Sequence, residues 1–600
     1  MLKSEIKLKD GYPKLYVNGT ETTAMAYTTY FEERSCGADF SKVGYKIFFV
    51  NASLTRLAIN SYVTGFSPFR VGVFEDKDSP DYSEFEREVY RVLGACPDAI
   101  IFPRINVSMP TWWVEEHPDE CVPTPKGGYR EALFSELFRK DGSALLKNFI
   151  ERVKESDYAQ RIGGWQICGG QTQEWFHHDL SGSIGKAAES LFPRYVNEKY
   201  GEDDAKVPTR ADFLYSGVAK NESANAQKYV RFANEEVAKT VDTFAEVIKQ
   251  ETDYSQVVGT FYGYSFESCG TVLFGSHALT SLLDSPNLDF FSSPNAYTGN
   301  RAFGIDWADM IPVDSVKLHG KLCFIECDIR THLTRALQDV RPGEYPDGIY
   351  RTKDGASVWV GPPTPEGSVN ALCKSFIHQL TRGSAIWWFD MWGGWYDDPR
   401  LMCEMTKMRE IYEKTLHAPW DEGCEVVFFA DECAYANLFT GSPQLDAIAQ
   451  TRTAMGNAGA PYSIYAVEDA KEVLSKYKAA VFPMSIPSKA GESAMALCEK
   501  LGIPYLAATV EHHVLTKDEI TSFYKSAGVH LYTENSEVIY VGNGYVGLHT
   551  AGATEGEIKL PRTLKVTPIF GAEGGERVTN SIKFTLGENE SALFSVSKPE

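Results

Sequence analysis

From about residue 20 to residue 415 the chain repeats one rhythm, a short apolar run followed by a stretch of helical amphipathic pattern. Eight apolar runs read as strands: TAMAYTTYF (23–31), LTRLAINSYV (54–63), DAIIFPRINV (98–107), IGGWQICGG (162–170), QVVGTFYGYSF (256–266), LDFFSSPNAY (288–297), GKLCFIECDI (320–329) and GSAIWWFDMW (383–392). Between them lie segments such as YSEFEREVYRVLGAC (82–96) and NEEVAKTVDTFAEVIKQ (234–250), whose apolar residues recur at helical spacing. Strand and helix in alternation imply parallel strands, and eight such units over nearly 400 residues predict a (β/α)8 TIM barrel with insertions. An open doubly wound sheet fits less well, because no GxGxxG follows the first strand.

The rhythm changes near residue 420. CEVVFFADE, QLDAIAQTRTAMGNAG, YKAAVFPMS, ESAMALCEKLG and IPYLAATV form a second, shorter α/β alternation, which predicts a flavodoxin-like α/β domain. From about 535, VIYVGNGYVGLHT, EIKLPRTLKVTPIF, SIKFTLG and SALFSVS alternate apolar and polar positions between glycine and asparagine turns, which predicts a small C-terminal antiparallel β domain, read as a β-sandwich. The expected division is 1–418 for the barrel, 419–534 for the second domain and 535–600 for the third.

Composition narrows the function classes. With 59 basic against 81 acidic residues the net charge is -22, and no basic run could track phosphates, so neither nucleic acid nor an anionic membrane is an expected partner. No apolar stretch reaches membrane-span length, the first residues lack a secretory apolar region, and the 12 cysteines carry no CxxC pair. These features together predict a cytoplasmic chain with reduced thiols. Aromatic residues make up 13% of the chain, and their faces pack well against the C–H faces of sugars.

In a barrel of this kind chemistry sits at the carboxyl ends of the strands. Two glutamates end apolar runs there. Glu174 closes IGGWQICGGQTQEW, where Gly169 and Gly170 leave room for a close approach. Glu326 lies in KLCFIECDIR, sharing one strand face with Leu322, Phe324 and Asp328. Two carboxyls facing each other across an aromatic cleft are the equipment of glycoside hydrolysis. Trp175 and Phe176 flank Glu174, and desolvation there would raise its pKa and suit a general acid. Arg330 and Lys321 lie close to Glu326 in sequence, and a cation beside it would keep it ionised, as a nucleophile needs to be. Either glutamate could instead be an ion-paired strand end, Glu326 with Arg330 for example.

With Glu174 ending the fourth run and Glu326 the seventh, the chain resembles the retaining (β/α)8-barrel glycoside hydrolases, which hold acid/base and nucleophile at those two places. The order of barrel, flavodoxin-like domain and β domain is similar to that of the three-domain bacterial β-galactosidases. The resemblance implies a retaining exo-β-glycosidase acting on an oligosaccharide or β-glycoside, without metal or organic cofactor, and a homotrimer assembled through the middle domain. It implies further that Tyr297 hydrogen-bonds the nucleophile, that Trp388 or Trp392 is a platform under the sugar, and that Arg104, Asn106, Trp112 and Trp113 line the pocket. Where the family has an asparagine immediately before the acid/base, this chain has Gln173. The domain order makes β-galactosidase the first expected activity, and because the departure touches recognition of the sugar 2-hydroxyl, β-mannosidase is the second. A sugar-binding barrel without catalysis is the reading from a different class.

Other polar clusters carry less. His177, His178 and Asp179 are adjacent, a spacing that rarely converges on one metal ion, and the same holds for Glu511, His512 and His513. Lys317, His319 and Lys321 read as a solvated strand entrance. Asp328 could orient Arg330 or bind a hydroxyl, and Asp390 could hold a hydroxyl or an indole N–H.

Overall fold

The computed structural model describes the chain except for residues 57–66, 126, 180, 181, 183, 268, 269, 345–359, 416–422, 536 and 600. Eight parallel strands close into a barrel: β1 (Met25–Thr28), β2 (Ile47–Ser53), β3 (Ile100–Val107), β4 (Gly164–Gly169), β5 (Val257–Phe261), β6 (Phe290–Pro294), β7 (Leu322–Cys327) and β8 (Ala385–Phe389). Each strand pairs with the next, and β8 pairs with β1 through Trp387↔Ala26 and Trp388↔Tyr27. Seven of the eight expected runs contain these strands. The second does not: β2 is IFFVNAS, the run just before LTRLAINSYV. Leu54, Thr55 and Arg56 form a bend and 57–63 lie outside the described residues. The four consecutive apolar residues of IFFV carry the signature of a strand buried on both faces.

The barrel interior is closed by aromatic rings. Phe49 meets Phe102, Phe324 and Trp387 with ring centroids 5.1, 5.2 and 5.2 Å apart, the last pair stacked, and Phe290 meets Phe324 at 5.8 Å. Gly164 and Gly259 make space for this plug, since a Cβ on either would lie 2.2 Å from the ring of Phe102 or Phe290. Polar side chains begin only above it, toward the carboxyl ends of the strands.

A second parallel sheet follows, formed by β9 (Val426–Ala430), β10 (Tyr462–Ala466), β11 (Ala479–Phe482) and β12 (Tyr505–Ala507) in the order β10-β9-β11-β12. Reversal of order about its first strand makes it a doubly wound, flavodoxin-like sheet. The last five strands, β13 (Val538–Gly542), β14 (Tyr545–His549), β15 (Thr554–Phe570), β16 (Arg577–Leu586) and β17 (Ser591–Ser597), form one antiparallel sheet ordered β13-β14-β17-β15-β16. Its long strand β15 breaks register between Lys559 and Leu564 and again between Pro568 and Phe570. Among the described residues no helix is long and apolar enough to cross a membrane.

Candidate active site

The polar layer above the aromatic plug begins on β3 and β4, where Arg104 pairs in register with Gln166 and Asn106 with Cys168. Arg104 is 1% exposed. Its guanidinium lies over the rings of Trp387 (5.0 Å) and Phe261 (5.6 Å) and donates to the hydroxyl of Tyr30 at 2.9 Å. Tyr30, just past β1, donates in turn to Oε1 of Gln173 at 3.3 Å. Asn106 donates to Ser53 at 3.4 Å. Arg104 Nε, Asn106 Oδ1 and Gln173 Nε2 are buried without a hydrogen-bond partner among the described residues.

Glu174 stands beyond β4 on a tightly wound turn. Thr172, Gln173 and Trp175 all have positive φ (59°, 66° and 62°), a conformation that costs each about 1 kcal/mol or more and that clusters at functional sites. Packing enforces the turn, since a Cβ on Gly169 would strike Trp175 and one on Gly170 the carbonyl of Phe176. Thr172 Oγ1 and, at 3.0 Å, the hydroxyl of Tyr264 donate to the Glu174 carboxylate. Burial outweighs these bonds and raises its pKa to about 7.

Glu326 sits near the end of β7 between Pro294 of β6 and Trp387 of β8, and is 2% exposed. Burial first, then the charges of Asp328 and Glu174, push its pKa well above the usual carboxylate range, while Arg104 and Arg301 pull it down. Glu174 and Glu326 therefore act on one another and share the influence of Arg104. The cations expected beside Glu326 are engaged elsewhere. Arg330 bonds Asp328, and Lys321, at the other end of the strand, donates to the carbonyls of Ser285 and Leu288. Arg104 and Arg301 take their place from distant parts of the chain.

Asp328 is fully buried among Arg301 (2.5 Å), Arg330 and the hydroxyl of Tyr297 (3.1 Å). Tyr297 thus bonds Asp328, and its hydroxyl also feels the charge of Glu326. Trp388 faces away from the barrel interior and donates its indole N–H to Tyr45 at 3.1 Å. Its neighbour Trp387 points inward, beside Glu326 in register. Trp392 packs against Tyr30 (6.3 Å) and Phe31 (5.5 Å) at the edge of the polar layer. Trp112 and Trp113 lie in a short helix (Thr111–Glu116) and tie it to its surroundings, donating to Phe74 O at 3.0 Å and Asp141 at 2.8 Å.

The remaining clusters are occupied by the protein itself. Asp390 accepts from Tyr27 (2.9 Å) and from the backbone of Gly394 (3.0 Å) and Trp395 (2.9 Å). His177 bonds Ala233 O at 2.8 Å while His178 bonds Glu131 at 3.2 Å, so their rings diverge. His512 pairs with Glu519 (2.8 Å), Lys317 with Asp314 (2.7 Å), and His319 with Asp284 (2.7 Å) and Asp469 (3.1 Å). Sequence reasoning missed Tyr30, Cys168, Tyr264, Arg301 and Trp387. Tyr30 and Tyr264 lie near the carboxyl ends of their apolar runs, and the strand-end rule applied to tyrosine finds them.

Solved (β/α)8-barrel glycoside hydrolases share this architecture. In particular, the chain has the fold and domain order of the three-domain GH42 β-galactosidases. A β-galactosidase from the psychrophilic Marinomonas ef1 superposes with a TM-score of 0.62 at 11% identity, covering 95% of this chain and 100% of the other. For the β-galactosidase from Bacillus circulans sp. alkalophilus the values are 0.61, 12%, 98% and 100%. A GH42 exo-carrageenase from Bacteroides ovatus gives 0.58 at 13% identity, covering 100% of this chain and 84% of that one. No family model matches the sequence, and no curated protein matches it.

Proposed function

We propose that the protein is a retaining exo-β-glycosidase in which Glu326 is the nucleophile and Glu174 the acid/base. The observation that carries this reading is the pair itself: two mutually interacting acids at the carboxyl ends of β4 and β7, both with raised pKa, beside buried polar atoms that lack partners among the described residues. Near neutral pH such a pair holds a proton. With the proton on Glu174, Glu326 is ionised and its charge is balanced by Arg104 and Arg301. Glu326 attacks the anomeric carbon as Glu174 protonates the departing oxygen. Glu174, now a base, then activates water to release the sugar from Glu326. The reaction so written needs no metal or organic cofactor.

The glycone pocket in this reading is bounded by Arg104, Asn106, Gln173, Trp387 and Trp392, with Tyr297 and Asp328 setting the electrostatics of Glu326. β-Galactosides are the first expected substrates, after the activity named for the similar structures, and β-mannosides the second because of Gln173. The catalytic barrel spans 1–418, followed by 419–534 and 535–600, and the middle domain assembles a homotrimer. A panel of nitrophenyl β-glycosides tests the activity, and proton NMR of the first-formed product tests retention. No release from any member of the panel would leave a sugar-binding barrel as the reading, and a monomer mass by light scattering would remove the trimer.

A further inference from the structure

Doubly wound sheets bind ligands in the crevice at the carboxyl ends of their strands, where the order reverses. In the second domain that crevice lies at the ends of β9 and β11, and it is filled by the barrel. Ser265 and Phe266, from the loop after β5, pack against Ala430, Glu432, Tyr435 and Met484 with no room left for a ligand. We propose that this domain is a buttress that holds Tyr264 of the barrel against Glu174 within the same chain, with Glu432 and Arg452 as positioning residues. The inference rests on the reading of Glu174 as the proton donor.

The contacts run residue by residue along the loop. Ser265 donates to Glu432 Oε1 at 2.7 Å, and its carbonyl accepts from the hydroxyl of Tyr435 at 2.7 Å. The other oxygen of Glu432 accepts from the backbone N–H of Thr280 at 3.1 Å, tying down the far end of the same excursion. Phe266 meets Phe428 of β9 edge-on at 5.5 Å and lies under the guanidinium of Arg452, also at 5.5 Å. Arg452, fully buried, donates to Glu267 at 3.0 Å and to Asp309 O at 3.1 Å. Glu267 accepts from the backbone N–H of Tyr297 at 3.2 Å and from Thr298 at 3.1 Å. The barrel holds the loop as well, with Ser293 donating to Gly263 O and Phe266 N to Met310 O, and it touches Tyr264 itself, whose ring meets Phe176 edge-on at 4.8 Å and Phe274 at 6.3 Å. Tyr264, between the two sets of contacts, points the other way and donates to Glu174.

Among the described residues, the groups that face Glu174 are Thr172, Tyr264, Arg104, Cys168, Tyr30, Glu326 and Asp328, all from the barrel. A change at Glu432 therefore reaches the acid through Tyr264. Glu432→Gln replaces one of two acceptor oxygens by a donor and keeps the shape. On an alkyl glycoside of the preferred sugar, whose leaving group needs the proton, it is expected to lower kcat about ten-fold with little change in KM. Because the Tyr264 bond favours the charged form of Glu174, its loss is expected to move the alkaline limb of the kcat/KM profile up by about 1 pH unit. In a Tyr264→Phe background Glu432→Gln is expected to add nothing further. An unmoved pH profile, or an undiminished effect in the Tyr264→Phe background, overturns the proposal. Arg452→Lys, which keeps the charge and loses the two-pronged grip, serves if Glu432→Gln does not fold. If the unaltered protein hydrolyses no glycoside, the functional reading fails separately, and hydrogen exchange decides the buttress. Faster exchange at 263–267 in Glu432→Gln, with β5 unchanged, supports it, and unchanged exchange there overturns it.

Discussion

Tyr297 donates its hydroxyl to Asp328, 3.1 Å away, rather than to Glu326 two residues earlier on the same face of β7. The tyrosine thereby joins Arg301 and Arg330 around a fully buried carboxylate, and the charge of that carboxylate is the largest electrostatic contribution raising Glu326. Asp328→Asn is expected to lower the pKa of Glu326, since it removes a neighbouring negative charge and leaves Arg301 less compensated. The acid limb of the pH–rate profile then moves to lower pH. The same change leaves two guanidinium groups short of their partner, at a cost of about 3–5 kcal/mol in urea denaturation.

Glu174 and Glu326 are expected to fail differently. Glu326→Gln removes the nucleophile and lowers turnover at least about a thousand-fold for every leaving group. Glu174→Gln slows substrates with poor leaving groups far more than nitrophenyl glycosides, whose departure needs little protonation. Comparing nitrophenyl and alkyl glycosides of one sugar separates the two roles, and equal losses for both aglycones would assign Glu174 some other part.

Stability provides a check that does not depend on knowing the substrate. A carboxyl raised to about 7 from the ordinary 4.5 binds a proton more tightly in the folded state. Its contribution is therefore complete below pH 4.5 and is lost as pH rises through 7. Glu174→Gln, which cannot ionise, is expected to change stability little at pH 4.5 and to stabilise the fold by about 2–3 kcal/mol at pH 8. Thermal unfolding at the two pH values measures it.

Gln173 combines a left-handed backbone (φ 66°) with a buried amide nitrogen that has no partner among the described residues. Asparagine tolerates that backbone better than glutamine does, so Gln173→Asn is expected to be neutral or stabilising by up to about 1 kcal/mol. The shorter amide withdraws from the ligand, and the ratio of β-galactoside to β-mannoside kcat/KM is expected to change about ten-fold. An unchanged ratio would take Gln173 out of sugar recognition.

The two adjacent tryptophans of β8 give opposite expectations. Trp388→Phe loses the bond to Tyr45 outside the barrel and should cost about 1–2 kcal/mol with kcat intact. Trp387→Phe replaces the indole over which Arg104 sits with a smaller ring and a weaker cation–π face and should reduce kcat/KM about ten-fold.

The alternation of apolar runs and amphipathic helices determined the barrel, the doubly wound sheet and the antiparallel sheet by itself, because strand and helix are written in short-range periodicity and turn chemistry. Glu174 and Glu326 were legible for the same reason, each being a carboxylate at the end of an apolar run. The phase of β8 was not, since Trp387 and Trp388 are equally apolar and only closure of the barrel onto β1 sets which one faces inward. Nor was β2, where two apolar runs lie end to end and the pairing with β1 and β3 selects the first. The partners of the charges were least legible. Arg330 and Lys321 are the cations nearest Glu326 in sequence, yet Arg104 and Arg301 act on it, and Arg452 reaches Glu267 from another domain. Charge–charge energy depends on distance in space, and in a barrel that distance is fixed by closure of the sheet and docking of the domains.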